Sequence, residues 1–388
     1  DIMTKKRTFW IKLALYVLPF AVGFTALTGS LVYIGESMPL RWVVWLQQRD
    51  DSVLFLNRYG NRDLEFKRLS VNARRPEVMA LGSSRILQFR AGFFTYDPSV
   101  FYNAAGPGWG LSDVSELLMS VDQDALPKVL LLALSHPWFH DTYNIDIDFS
   151  DASDFANLFA VNRTLIQELM AGERFDRDGF DVLEYLERAD PGGDGLALGM
   201  RAIRDGHGFR SDGSERYGDF LVAGWLGQEQ QRESHMELMR AGDEMYVDGD
   251  TVSPEKLTQL DELLAYAAEN EVTVIGYLPP YMPSLWEEML ARGNHDYITQ
   301  LPHELTPIFE RYDFPLLDYS NGAWIDLPDD YFFDGWHPSE LANLRLYLNM
   351  MNALPDLLGQ YSDANVLWEI VANATDTWEV FGSDNLPR

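Results

Sequence analysis

The sequence predicts an α/β domain, three layers built around a parallel sheet, preceded by one N-terminal transmembrane helix. Short apolar runs of strand length alternate with amphipathic helical segments from residue 76 onward, the order that covers both faces of a parallel sheet with helices. Ahead of them, Leu13 to Ile34 runs for 22 residues without a charge. The chain has 388 residues, 46% of them hydrophobic, enough to bury a large core and too apolar for a disordered polymer.

The anchor comes first. LALYVLPFAVGFTALTGSLVYI is long enough as a helix to cross roughly 30 Å of hydrocarbon. Pro19 falls inside it and can kink a membrane helix without ending the span. Lys5, Lys6, Arg7 and Lys12 precede the run, and excess basic charge marks the cytoplasmic side. Residues 1–12 are therefore expected as a cytoplasmic basic tail and 13–35 as a single-pass span in the lipid bilayer of the inner (cytoplasmic) membrane. The main domain is then periplasmic or otherwise extracytoplasmic. A cleaved signal peptide would use the small residues of ALTGS, but this apolar run is longer than the usual signal core.

Residues 36–75 form a juxtamembrane segment. Trp42 and Trp45 beside Arg41 suit either headgroup depth or packing against the domain, and the sequence leaves both open. The α/β domain is expected over 76–358. EVMALG (77–82), VFYNAAG (100–106), KVLLLALS (128–135), EVTVIGYL (271–278) and DFPLLDYS (313–320) read as buried strands. LSDVSELLMSVDQD (111–124), SPEKLTQLDELLAYAAEN (253–270) and HPSELANLRLYLNMMNAL (337–354) read as helices. The second of these has Ser253 as N-cap and Pro254 in the first helical position. Between them, about 139–252 is rich in Asp, Gly and aromatic residues without steady periodicity. It reads as an insertion with its own helices over the sheet's carboxyl edge. Residues 359–388 read as one more helix or an extended arm.

Composition excludes several chemistries. The formal charge is −30, and because residues 1–12 carry a net +3, the rest carries −33. Such an acid-rich surface does not suit a nucleic-acid partner. With no cysteine, disulfides, thiolate metal sites and cysteine catalysis are ruled out. His136 and His140 in HPWFH have a metal-like spacing. Pro137 interrupts a continuous helix there and a third ligand is not evident, so no metal is expected. Nor does any motif call for a cofactor.

Two short motifs carry the chemistry. GSSR (82–85) follows the first predicted strand of the domain, and a strand that stops at Gly-x-Ser can present a serine hydroxyl at the carboxyl edge of the sheet. Ser83 and Ser84 would equally serve as helix caps. In DGWHPSE (334–340), Asp334 stands three residues before His337. A carboxylate on the far nitrogen of an imidazole fixes the tautomer that a general base needs, and one tight loop can supply both groups. Each motif is weak alone. Placed at the two ends of one α/β pattern, they strengthen each other.

GSSR, the glycine cluster NAAGPGWG (103–110) after the second strand, and Asp-x-x-His-Pro before the last helix together resemble the SGNH (GDSL-type) hydrolase superfamily. In particular they resemble its membrane-anchored, GSS-containing branch, which includes the D-alanyl transfer protein of teichoic acids and the alginate O-acetylation proteins. The likeness covers 76–138 and 253–355. It implies Ser84 as nucleophile, His337 as base, Asp334 as its orienter, and an oxyanion hole from the N–H groups of Ser84 and Gly106. Arg85, Asn103 and His136 stand nearby as substrate-contacting or structural residues. The implied activity is a serine esterase or O-acyltransferase on envelope acyl esters or polysaccharide. One departure is plain: where the family has Gly-x-Asn after the third strand, this chain reads ALSHPWF, with Ser135 or His136 near that place. The absent asparagine supports a second expectation, a non-catalytic SGNH-like subunit held by neighbouring subunits of a large membrane complex, photosynthetic or respiratory for example.

Overall fold

The computed structural model describes residues 2–60, 62–143, 153–171, 195–218, 221 and 228–381. In chain order its strands are β1 (Val53–Phe55), β2 (Val78–Leu81), β3 (Phe101–Asn103), β4 (Val129–Ala133), β5 (Leu196–Leu198), β6 (Gly208–Phe209), β7 (Glu215–Arg216), β8 (Thr273–Leu278) and β9 (Leu316–Asp318). Five of them form a wholly parallel sheet in the order β3-β2-β4-β8-β9. β2 and β4 are buried along their whole length, as their unbroken Val/Leu/Met/Ala runs require of central strands covered on both faces. β9, at one edge, is only partly covered. Helices 63–74, 111–120, 254–269 and 296–310 pack against one another in that succession. The fold is thus mixed α/β on a parallel sheet, with every predicted strand of the domain in place.

Strand order positions the site. From β2 the chain steps outward to β3, then crosses to the other side of β2 to form β4, so the direction of winding reverses between β2 and β4. At such a switch point the loops leaving the carboxyl ends of the two strands part and leave a crevice between them. GSSR leaves β2 and LSHPWF leaves β4, so both motifs open into it.

A second sheet was not legible in the sequence. It runs β5-β1-β6-β7, with β1 parallel to β5 and antiparallel to β6. The juxtamembrane segment supplies its β1, and the 139–252 insertion supplies the rest. In the main core Phe66 of that segment stacks on Phe209 of the insertion, and Phe55 tilts against Phe66. Residues 36–75 are therefore built into the body. In the insertion, Glu215 N–H donates to the Leu87 carbonyl and Asn103 N–H to the Asp212 carbonyl, which places 212–215 over the loops that follow β2 and β3. The acidic stretch 175–194 lies outside the described residues.

One helix, Ile2–Tyr33, takes in the basic cluster as well as the apolar run, so residues 2–12 are helical and continuous with that run. Its 28-residue stretch from Lys6 to Tyr33 is long and apolar enough to cross a membrane. Its far end is tied to the body. Leu31 and Ile34 are buried among Leu54, Val161 and Met200, and the Glu36 carboxylate accepts N–H groups from Arg58, Tyr59 and Met200. Trp42 and Trp45 point out of helix Leu40–Gln47 at 58% and 49% exposure, so they do not pack against the domain. At the other end, helix Ala364–Asn373 is followed by a docked arm: Leu341 N–H donates to the Thr377 carbonyl and Phe381 N–H to Glu340.

Candidate active site

Ser84 opens a 3-10 turn, Ser84–Ile86, directly beyond β2. The turn forms there because Gly82 lets the chain pass close over β4: a side chain at this position would press on Ala133. The capping role considered for Ser83 does not arise, since its hydroxyl pairs instead with that of Ser135 at 2.7 Å, tying the β2 and β4 loops together. Ser84 is left partly exposed, its Oγ 2.8 Å from His337 Nε2.

The loop before helix Glu340–Ala353 holds the imidazole. Asp334 Oδ1 accepts two backbone N–H groups, from Trp336 and from His337, each at 2.7 Å, which folds the loop around its own carboxylate. Oδ2 accepts the Nδ1–H of His337 at 2.7 Å. With Nδ1 donating to a carboxylate, the neutral ring presents a bare Nε2 to Ser84. Burial of Asp334 by itself would raise its pKa. The facing His337, its two hydrogen bonds and a second imidazole, His235, outweigh burial and hold the carboxyl well below the ordinary range. Ser84, His337 and Asp334 therefore meet in a hydrogen-bonded line, with the His337 side chain 21% exposed at its open end.

The neighbouring candidates serve the scaffold. Arg85 is buried, its guanidinium donating to the carbonyls of Pro279 (2.9 Å) and Pro280 (2.6 Å) and to His136 Nδ1 (3.2 Å). It lies over the rings of Tyr281 and Trp336, at 4.5 and 4.2 Å, so it bolts the serine turn to the loop after β8 and to the residue beside His337. Because arginine only donates, His136 Nδ1 must accept. Its Nε2–H then donates to Ser320 (2.8 Å), which donates to Asp318. Burial, and then Arg85, push the His136 pKa well down. Asn103 is spent entirely on backbone: its amide donates to Ile86 and Phe89 and its oxygen accepts from Ala105, which shapes the turn after Ser84. His140 bonds to the Asp248 carbonyl and Thr142, apart from His136.

Gly106 departs from expectation. Its N–H donates to the Gly82 carbonyl at 3.3 Å, so the β3 loop closes on the β2 loop through the amide that the oxyanion role requires. Glycine is needed there for packing: the Trp109 indole lies where a side chain would be. His136, just beyond β4, is turned inward to Arg85 and Ser320. Ser84 N–H, in the first turn of a short helix, remains the candidate donor.

His235 and Tyr246 went unnoticed in the sequence. Neither has a spacing relation to Asp334 or His337, and only the packing of helix Gln228–Ala241 and of the turn Glu244–Tyr246 after it brings them to the site. No family model, curated protein or solved structure matches this chain.

Proposed function

We propose that the chain is a membrane-anchored, extracytoplasmic serine esterase or O-acyltransferase of SGNH type, acting on acyl esters of the cell envelope. The observation that carries this reading is the unbroken line Ser84 Oγ, His337 Nε2, His337 Nδ1, Asp334 Oδ2, at 2.8 and 2.7 Å, at the switch point of a parallel sheet. In this reading His337 Nε2 takes the Ser84 proton as Oγ adds to the ester carbonyl, and Ser84 N–H faces the developing oxyanion. Collapse breaks the bond to the alcohol, which leaves with the proton returned by His337. Water or a sugar hydroxyl then gives its proton to His337 as it adds to the acyl-serine; collapse breaks the acyl–Oγ bond, His337 returns the proton to Ser84 Oγ, and the acid or the new ester leaves. The exposed apolar face of helix Ile2–Tyr33 and the outward Trp42 and Trp45 support attachment to the bilayer, with the basic residues on the cytoplasmic side.

The engaged Gly106 amide and the inward His136 favour a second reading, a non-catalytic subunit of a membrane complex that keeps this fold as a scaffold. Losing one oxyanion donor costs on the order of 3 kcal/mol in transition-state stabilisation. A fluorophosphonate probe separates the two. The esterase reading expects the probe on Ser84, and no labelling in a Ser84→Ala protein whose thermal unfolding is unchanged. An intact wild-type protein that never reacts would leave the scaffold.

A further inference from the structure

Asp334 faces a second histidine. His235 Nε2 lies 3.4 Å from Asp334 Oδ2, the same oxygen that accepts His337 Nδ1–H. Its Nδ1 is 2.9 Å from the hydroxyl of Tyr246, whose ring stands edge-on at 88° to the imidazole. One turn earlier on the same helix, Arg232 donates to the Phe332 carbonyl at 3.0 Å. The helix therefore grips the loop that carries Asp334 and His337 at two successive points. Tyr246 is fully buried and also packs edge-on to Trp336, the residue just before His337.

Donor and acceptor roles follow from chemistry. An ionised carboxylate only accepts, so the nitrogen of His235 turned toward Asp334 carries a proton. In the neutral ring Nδ1 then accepts, and the Tyr246 hydroxyl is placed to donate to it. Asp334 Oδ2 thus faces an imidazole nitrogen on each side, His337 of the catalytic loop in a 2.7 Å hydrogen bond and His235 of the insertion in a longer 3.4 Å charge contact. A carboxylate shared in this way pulls less strongly on either imidazole than one that serves a single ring.

We propose that His235 is a positioning residue for His337, acting through Asp334, and that the inserted helix thereby sets the pH range over which the Ser84 site works. The inference rests on the Ser84–His337–Asp334 reading. The charged and titratable groups around this point are Asp334 and His337 on the catalytic loop, Arg85 on the serine turn, Tyr246 on the adjoining turn, Arg232 on the same helix, and Tyr217, which senses Asp334. Among them His235 is the second imidazole at Asp334 Oδ2, and its removal leaves that oxygen facing the His337 ring with less competition. His337 then becomes more basic and stays protonated to a higher pH.

The test measures the second-order rate of fluorophosphonate labelling from pH 5 to 9 in the full-length protein in nanodiscs, for wild type, His235→Ala and His235→Gln. The expected result for His235→Ala is a loss of roughly tenfold at neutral pH, the rate equivalent of one lost contact to a charged group, with the acid limb moved to higher pH. His235→Gln, whose amide can still donate to Asp334, should recover most of the rate and return the limb toward wild type. An unmoved acid limb in His235→Ala, whether the rate is unchanged or falls in step with lost thermal stability, overturns the proposal. A second arm is independent of catalysis: NMR titration of the His337 ring in a Ser84→Ala background, with and without His235→Ala. A His337 titration that moves upward in a protein that never labels keeps the positioning role and sinks the esterase reading. A titration that stays put sinks the positioning role alone.

Discussion

Asp334→Asn is the substitution whose outcome the geometry specifies most closely. Asp334 Oδ1 is held by two backbone N–H groups at 2.7 Å, and Oδ2 by His337 Nδ1–H at 2.7 Å. Asparagine has a single carbonyl oxygen, and the two backbone donors claim it, because the opposite orientation would aim an NH2 group at two N–H groups. The NH2 is then left facing His337 Nδ1. Two donors cannot share that contact, so Nδ1 must give up its proton and accept, and the ring proton moves to Nε2, 2.8 Å from Ser84 Oγ. The loop keeps its shape while the base loses its lone pair. A wrong tautomer of this kind lowers the rate about 10⁴-fold in a serine triad, equivalent to about 5.5 kcal/mol of barrier. The assay is the second-order labelling constant at neutral pH, with intact-mass location of the adduct and urea unfolding to show an undisturbed fold. An asparagine protein that labels within tenfold of wild type would refute the tautomer argument and Asp334 as orienter with it.

Two further outcomes follow from the same structure. Folding holds His136 neutral with its pKa well below the ordinary 6.5, so as pH falls below about 6.5 the unfolded chain binds a proton that the folded chain refuses, and stability drops by up to about 1.4 kcal/mol per pH unit. His136→Gln keeps an acceptor for Arg85 and a donor for Ser320 without titrating, so its urea midpoint should lack this slope between pH 6.5 and 5; parallel curves for the two proteins would count against a neutral buried His136. For the anchor, the absence of cysteine makes single-cysteine labelling clean: Met170→Cys, 84% exposed on the domain, should react with an impermeant maleimide added outside spheroplasts, and Tyr16→Cys, 79% exposed along the apolar span, should react only after detergent. Labelling of Met170→Cys that needs lysis would reverse the orientation.

The strands of the parallel sheet were legible because each is a short apolar run with turn residues on both sides, and burial on two faces leaves the sequence little choice. The long apolar N-terminal helix was legible for a similar reason, since a charge-free run of 22 residues is an unambiguous pattern. Its end was less so: helix Ile2–Tyr33 includes the basic cluster, and its last turn puts Leu31 into the body. The second sheet escaped notice because β5, β6 and β7 are two or three residues long, too short for any period to show.

Of the candidate site, the pairing of Asp334 with His337 is local, three residues apart on one loop, and the sequence by itself determined it. The serine motif was visible as a turn after a strand. That Ser84 meets His337 across 253 residues was decided only by the tertiary structure, through a strand order that reverses between β2 and β4 and opens a crevice at their carboxyl ends. The same holds for what departed from expectation. Whether the Gly106 amide faces a substrate or Gly82, and whether Arg85 reaches outward or clamps Pro279 and Pro280, depends on which loops the fold stacks together. His235 is the extreme case. It comes from an insertion with no periodic signal and reaches Asp334 because helix packing set it there, and a charge contact of 3.4 Å is fixed by three-dimensional position, which sequence separation does not encode.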